Sequence, residues 1–220
     1  MTGKLAVFDC DGTLVDGQAD ICDMMVQAFE LAQFTPPSRN DIRRIVGLSL
    51  PVAIRKLAPD LDEGDVRAVT DLYKSGYFNR RQEGLLREPL YDGIAELLRD
   101  LHGAGWSLAV ATGKSDRGLN SCLTAHGLTD LFTSLQTADR HPSKPHPAML
   151  EAALFEAGVA PADAVMIGDT SFDMHMARAA KVRAIGVAWG YHTPRDLTES
   201  GANMVAGNVA ELATELEQWA

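Results

Sequence analysis

From residue 90 onward the chain alternates short apolar runs with stretches of helical periodicity, and this alternation restricts the fold more than any other feature. Ile94, Leu97, Leu98 and Leu101 recur at helical spacing, and Gly103 and Gly105 supply a stop. Residues 106–111 then read as a buried strand. Helical stretches follow near 115–126, 146–157, 171–181 and 208–218, separated by apolar runs near 133–137, 164–168 and 184–189. Residues 4–8 add one more run of the same kind. Apolar strands that alternate with helices predict an α/β fold, a parallel sheet covered on both faces.

Residues 17–88 break that rhythm. Ile21, Met24, Met25, Ala28, Phe29 and Ala32 mark an amphipathic helix, which Pro36-Pro37-Ser38 ends before another begins near Asn40. Ser49 followed by Pro51 reads as a further helix start, and Val66, Val69, Tyr73 and Tyr77 continue the helical period. The simplest account is an all-helical domain at 17–88, inserted into an α/β core made of 1–16 and 89–220. Its linkers would lie near 16–18 and 86–92, and such an insertion would form a lid.

Composition excludes several roles. The 220 residues are 46% hydrophobic and 23% charged, the balance of a soluble globular protein. No apolar run approaches the roughly 18 residues that cross a bilayer, so no membrane association is expected. The N-terminal apolar stretch is short and followed at once by acidic residues, which reads as a strand and not a signal peptide. Cys10, Cys22 and Cys122 lack metal-type spacing and read as free thiols in a reducing, cytoplasmic setting, with Cys10 a packing residue. A net charge of −10 would repel a nucleic-acid backbone, so no nucleic-acid partner is expected. Residues 17–88 hold 10 Lys+Arg against 11 Asp+Glu, and the rest hold 10 against 19. The helical segment is therefore the relatively electropositive part, suited to face an anion unless its basic residues only solvate helix surfaces.

Three polar clusters directly follow predicted strands: Asp9-Cys10-Asp11-Gly12-Thr13, Thr112-Gly113-Lys114, and Gly168-Asp169-Thr170-Ser171-Phe172-Asp173. Ligands of an open parallel sheet bind beyond the carboxyl ends of its strands, so all three are expected on one rim, with Ser143-Lys144-Pro145 nearby. Four carboxylates, Asp9, Asp11, Asp169 and Asp173, would raise one another's pKa or demand a cation. Oxygen ligands suit magnesium. Thr112, the amide that follows it, and Lys144 would add donors and one positive charge, which makes a phosphoryl-transfer site. A carboxylate is a ready nucleophile at neutral pH. A second acid two residues on is placed to protonate the leaving oxygen and then activate water.

The string FDCDGTLVD, the pair Thr112-Gly113, Lys144 in SKP, and GDTSFD resemble the four motifs of the haloacid dehalogenase superfamily. The tail GVAWGYHTPRDLTESGANMVAGNVAEL most resembles its phosphoglycolate phosphatase-like branch. The resemblance implies a Rossmann-like parallel sheet with an inserted helical cap. It further implies magnesium-dependent hydrolysis of a small phosphorylated metabolite, phosphoglycolate as the first guess. Asp9 would be nucleophile and metal ligand, and Asp11 general acid/base with its carbonyl on the metal. Asp169 would be a metal ligand and Asp173 a direct or indirect one, while Thr112, the Gly113 amide and Lys144 would hold the phosphoryl oxygens. Gly12 would permit the turn and Thr13 brace the loop. In the cap, 42–47 resembles a segment that faces the substrate, making Arg43 and Gly47 candidates. The chain is expected to act as a monomer or homodimer.

Each residue also has a plainer reading. Asp9 and Asp11 alone would close an Asx turn, and Asp169 would cap a helix. Ser171 reads as a helix N-cap, Lys114 as a surface lysine, and Trp189 and Tyr191 as packing behind the site. The histidines share no metal spacing; His146 is placed to line the rim. A sugar phosphomutase of the β-phosphoglucomutase kind uses the same Asp pair, and pyrophosphatases or nucleotidases of the superfamily share it. Dehalogenases lack the second aspartate. A non-enzymatic phospho-acceptor switch would be half as long and without the helical insertion.

Overall fold

Six strands form one parallel sheet in the computed structural model, which describes residues 3–219: β1 (Leu5–Phe8), β2 (Ser107–Thr112), β3 (Ser134–Thr137), β4 (Ala164–Gly168), β5 (Arg183–Val187) and β6 (Met204–Ala206). Their order is β3-β2-β1-β4-β5-β6. The chain leaves β1 toward β2 on one side and returns to β4 on the other, so strand order reverses at β1. Loops diverge there and open a crevice at the carboxyl ends of β1 and β4.

Alternation within the strands builds two cores. Ala6 and Phe8 of β1 point to one face, where they join Val110, Ile167 and Val187 under α5 (Ile94–Gly103), α6 (Asp116–Ala125) and α10 (Val209–Trp219). Leu5 and Val7 point to the other, under α7 (Ala148–Ala157), α8 (Ser171–Ala179) and α9 (Pro194–Glu199). Every residue of β1 is fully buried, which is why it reads as a continuous apolar run.

Between β1 and α5 lie four helices, α1 (Gln18–Leu31), α2 (Arg39–Ile45), α3 (Leu50–Leu57) and α4 (Glu63–Gln82). They enclose an apolar cluster of their own around Met25, Phe29, Ile42, Ile54 and Val69. Ser38 caps α2 by accepting from the Asp41 amide at 3.1 Å, and Asp62 caps α4 by accepting from the Asp65 amide at 2.9 Å. The chain's exit to this segment and its return run side by side. The Asp16 amide donates to Pro89 O at 2.8 Å and the Tyr91 amide to Leu14 O at 3.1 Å. Asp20, at the base of α1, accepts from the Arg87 amide at 2.6 Å and pairs with Arg80 at 2.7 Å.

One local expectation is corrected, and two elements add to those read from the sequence. The N-cap of α8 is Thr170, not Ser171: a capping box with Asp173 engages the Thr170 side chain and moves Ser171 into the first turn. The strand β6 and the short helix α9 were not anticipated. β6 has three residues and α9 six, too few for a hydrophobic period to register.

Candidate active site

The crevice at the reversal of strand order collects the charged residues. Asp9 follows β1 and Asp169 follows β4, neighbouring parallel strands, so both carboxylates emerge side by side. Asp173 sits one turn into α8 and Lys144 arrives on the loop before α7. Oxygens of Asp9, Asp169 and Asp173 lie within 4.8 Å of one another, and all three residues are fully buried. Lys144 Nζ stands 3.0 Å from Asp9 Oδ1 and 2.6 Å from Asp173 Oδ1.

Most remaining lone pairs are engaged. Thr13 Oγ1 donates to Asp169 Oδ1 at 2.9 Å and the Tyr191 amide to Asp169 Oδ2 at 2.8 Å. The Thr170 amide and hydroxyl donate to Asp173 Oδ2 at 3.0 and 2.7 Å. Asp9 Oδ1 accepts from the Cys10 amide at 2.6 Å. Asp9 Oδ2 is buried with no hydrogen-bond partner among the described residues. Gly12, at φ +83°, permits this crowding: a Cβ there would collide with Asp169 Oδ2 and the Tyr191 ring.

The electrostatics are unbalanced. Three buried carboxylates face one ammonium, an excess of two negative charges when all are ionised. Burial pushes Asp9 up to about 7, Lys144 opposes that rise, and Asp173 adds to it. Burial and then Asp9 and Asp173 push Asp169 well above the usual carboxylate range. Burial opposes the charge on Lys144, but Asp173 and Asp9 outweigh it and hold its pKa above the ordinary value. A close set of buried carboxylates and a charge deficit together fit a divalent cation with oxygen ligands.

Asp11 points elsewhere. Its carboxylate lines a cavity of about 450 Å³ between the helical segment and the sheet. It pairs at 3.0 Å with Lys114 Nζ, which also stands 2.5 Å from Glu88 Oε1. Lys114 is therefore not a surface lysine, since its side chain is only 8% exposed. The turn after Thr112 directs it inward beneath α4, and two carboxylates hold its pKa well above normal despite burial. Glu88 and the depth of Lys114 had no signal in the sequence, because Glu88 and Asp11, the partners of Lys114, lie 26 and 103 positions away from it.

The loop between α2 and α3 closes the other side. Gly47, at φ +96°, sits where a Cβ would lie 3.8 Å from Asp9 Oδ2. Gly113 abuts the same loop, and a Cβ on it would meet Leu48 O at 2.6 Å and Gly47 O at 2.7 Å. The Ser49 amide donates to Ser143 Oγ at 2.9 Å, tying loop to core. Gly47 lines the cavity, whereas Arg43 does not. Ile42 is fully buried, so the next residue on a short helix turns outward, and Arg43 is exposed. Thr112 is buried beside the cavity and its hydroxyl accepts from the Lys114 amide at 3.3 Å. His146 is exposed, with its Nδ1 accepting from the Ala148 amide. Trp189 Nε1 donates to Thr13 O at 3.2 Å, behind the loop.

A family model described as haloacid dehalogenase-like hydrolase matches residues 6–187. The probable phosphatase IndB of Dickeya dadantii is 34% identical over 213 residues, spanning 94% of this chain and 91% of that protein. The phosphoglycolate phosphatase of Haemophilus influenzae is 31% identical over 224 residues, spanning 97% and 98%. The crystal structure of a predicted phosphatase from Clostridium acetobutylicum superposes with a TM-score of 0.88 at 25% identity, over 99% of this chain and all of that one.

Proposed function

Because the chain belongs to the haloacid dehalogenase-like hydrolase family and is a phosphatase of it, we propose that it hydrolyses a small phosphate monoester through an aspartyl-phosphate on Asp9. The observation that carries this reading is Asp9 Oδ2, buried beneath the Gly47 loop with no partner of its own. That oxygen is the one free to attack phosphorus.

In the first step Asp9 Oδ2 forms a bond to phosphorus as the ester oxygen departs, and Asp11 gives that oxygen a proton from the cavity side. In the second step Asp11 takes a proton from water, whose oxygen attacks phosphorus and releases phosphate with Asp9 restored. Lys144, the Thr112 hydroxyl and the Gly113 amide hold the phosphoryl oxygens. Magnesium, bound by Asp9, Asp169 and the Asp11 carbonyl, would supply the missing positive charge against those oxygens. Asp173, which accepts from Lys144 and from the Thr170 amide and hydroxyl, supports that set by holding Lys144 beside it. Residues 17–88 act as the cap that excludes water from the crevice.

Phosphoglycolate is the first substrate to test, because relatives such as the Haemophilus influenzae protein carry that name and match along nearly their whole length. The test is phosphate release from a panel of small esters, with and without magnesium, and with Asp9→Asn as the blank. Turnover is expected to fall at least about 10³-fold in Asp9→Asn and on chelation. Phosphate that moves between hexose positions without release would replace hydrolysis by mutase chemistry.

A further inference from the structure

We infer that Lys114, braced by Glu88, is a positioning residue that aims the Asp11 carboxylate into the cavity and ties its aim to the seating of the cap. The inference rests on the assignment of Asp11 as the acid/base group. Lys114, Glu88 and Asp11 are each nearly sealed from solvent, with side chains 8%, 7% and 12% exposed. Lys114 Nζ lies 3.0 Å from Asp11 Oδ1 and 2.5 Å from Glu88 Oε1, so it bridges the two carboxylates at the cavity wall. Glu88 belongs to the return linker, and both its oxygens are also held from the cap. Tyr77 Oη donates to Oε1 at 3.0 Å and Arg81 Nη2 to Oε2 at 2.8 Å. Its backbone carbonyl meets His126 Nε2 at 2.8 Å, on the core side.

The set therefore joins four parts of the molecule: the loop after β1, the loop after β2, the linker and α4. Two carboxylates and two cations balance, so the group is neutral without a ligand. If α4 lifts, Tyr77 and Arg81 leave Glu88. Lys114 is then shared unequally, and the Asp11 carboxylate loses its fixed direction. A proton donor displaced by about 1 Å costs on the order of 10² in rate.

The expected signature is selective for the leaving group. An alkyl ester needs a proton on its departing oxygen, whereas p-nitrophenyl phosphate expels a stable p-nitrophenolate without one. First-turnover release of the leaving group is measured by rapid quench for both esters. Lys114→Met should slow the alkyl ester about 10²-fold and p-nitrophenyl phosphate less than about 3-fold, and Lys114→Arg should recover most of the loss. Should Lys114→Met not fold, the double variant Glu88→Gln/Lys114→Met removes one charge of each sign and carries the same comparison. Equal losses on both esters, or no loss, would overturn the inference. Asp11→Asn in the same assay separates the two levels. If it too is unselective, the acid/base assignment fails; if it alone is selective, only the role of Lys114 fails.

Discussion

The nucleophilic role proposed for Asp9 sets two demands against each other. A nucleophile must be ionised, yet burial holds this carboxyl up to about 7 instead of its ordinary 3.8. Between those values the folded chain keeps a proton that the unfolded chain has lost. The stability Asp9 contributes in the cation-free protein is thus complete below about 3.8 and is lost as pH rises through about 7. Asp169 is raised by burial and acts in the same direction. Thermal denaturation in chelator should therefore show a melting temperature that declines from pH 5 to 8, with a shallower decline in Asp9→Asn. A decline of equal slope in the variant would mean that other groups govern it.

At the level of elements, the contact that matters is the α2–α3 loop against the loop after β2. It is a backbone contact: Gly113 faces two carbonyls, and carbonyls cannot swing aside as a side chain can. Gly113→Ala should push the loop away from Asp9. Steady-state kinetics should show kcat/KM reduced at least about 10-fold, while the melting temperature changes little because the sheet beneath is untouched. An unchanged kcat/KM would show that the loop does not need this approach. Only two strands of chain connect the helical segment to the sheet, joined by hydrogen bonds such as Asp16 to Pro89.

For the whole molecule, the charge deficit of the crevice predicts linkage between cation and stability. At a concentration of magnesium about 100 times its Kd, binding stabilises the native state by about 2.7 kcal/mol. In a chain of this size that corresponds to a rise in melting temperature of roughly 5–10 °C. The rise should be largest near pH 8, shrink toward pH 5 as Asp9 takes up its proton, and vanish in Asp169→Asn. Differential scanning fluorimetry reads all three, and an equal rise in Asp169→Asn would place the cation elsewhere. Among the described residues no helix is long and apolar enough to cross a membrane.

Much of this architecture was legible before any coordinates. Strands such as β1 and β4 are apolar on both faces, so they appear as unbroken runs, and the polar cluster that follows each must lie at the same sheet edge. Local chemistry therefore determined the parallel sheet, the place of the helical segment and the residues of the rim, from Asp9 to Asp173. The plan of the hydrogen bonds was not legible. Arg43 faces solvent because Ile42 claims the interior; Thr170 takes the cap from Ser171 because Asp173 answers it; Lys114 is buried because Glu88 and Asp11 meet it from distant points of the chain. Hydrophobic period and motif spacing are properties of neighbours in sequence, and one chain carries them openly. Which charge meets which across 26 or 103 residues depends on how the cap settles on the sheet, and only the tertiary structure decides that.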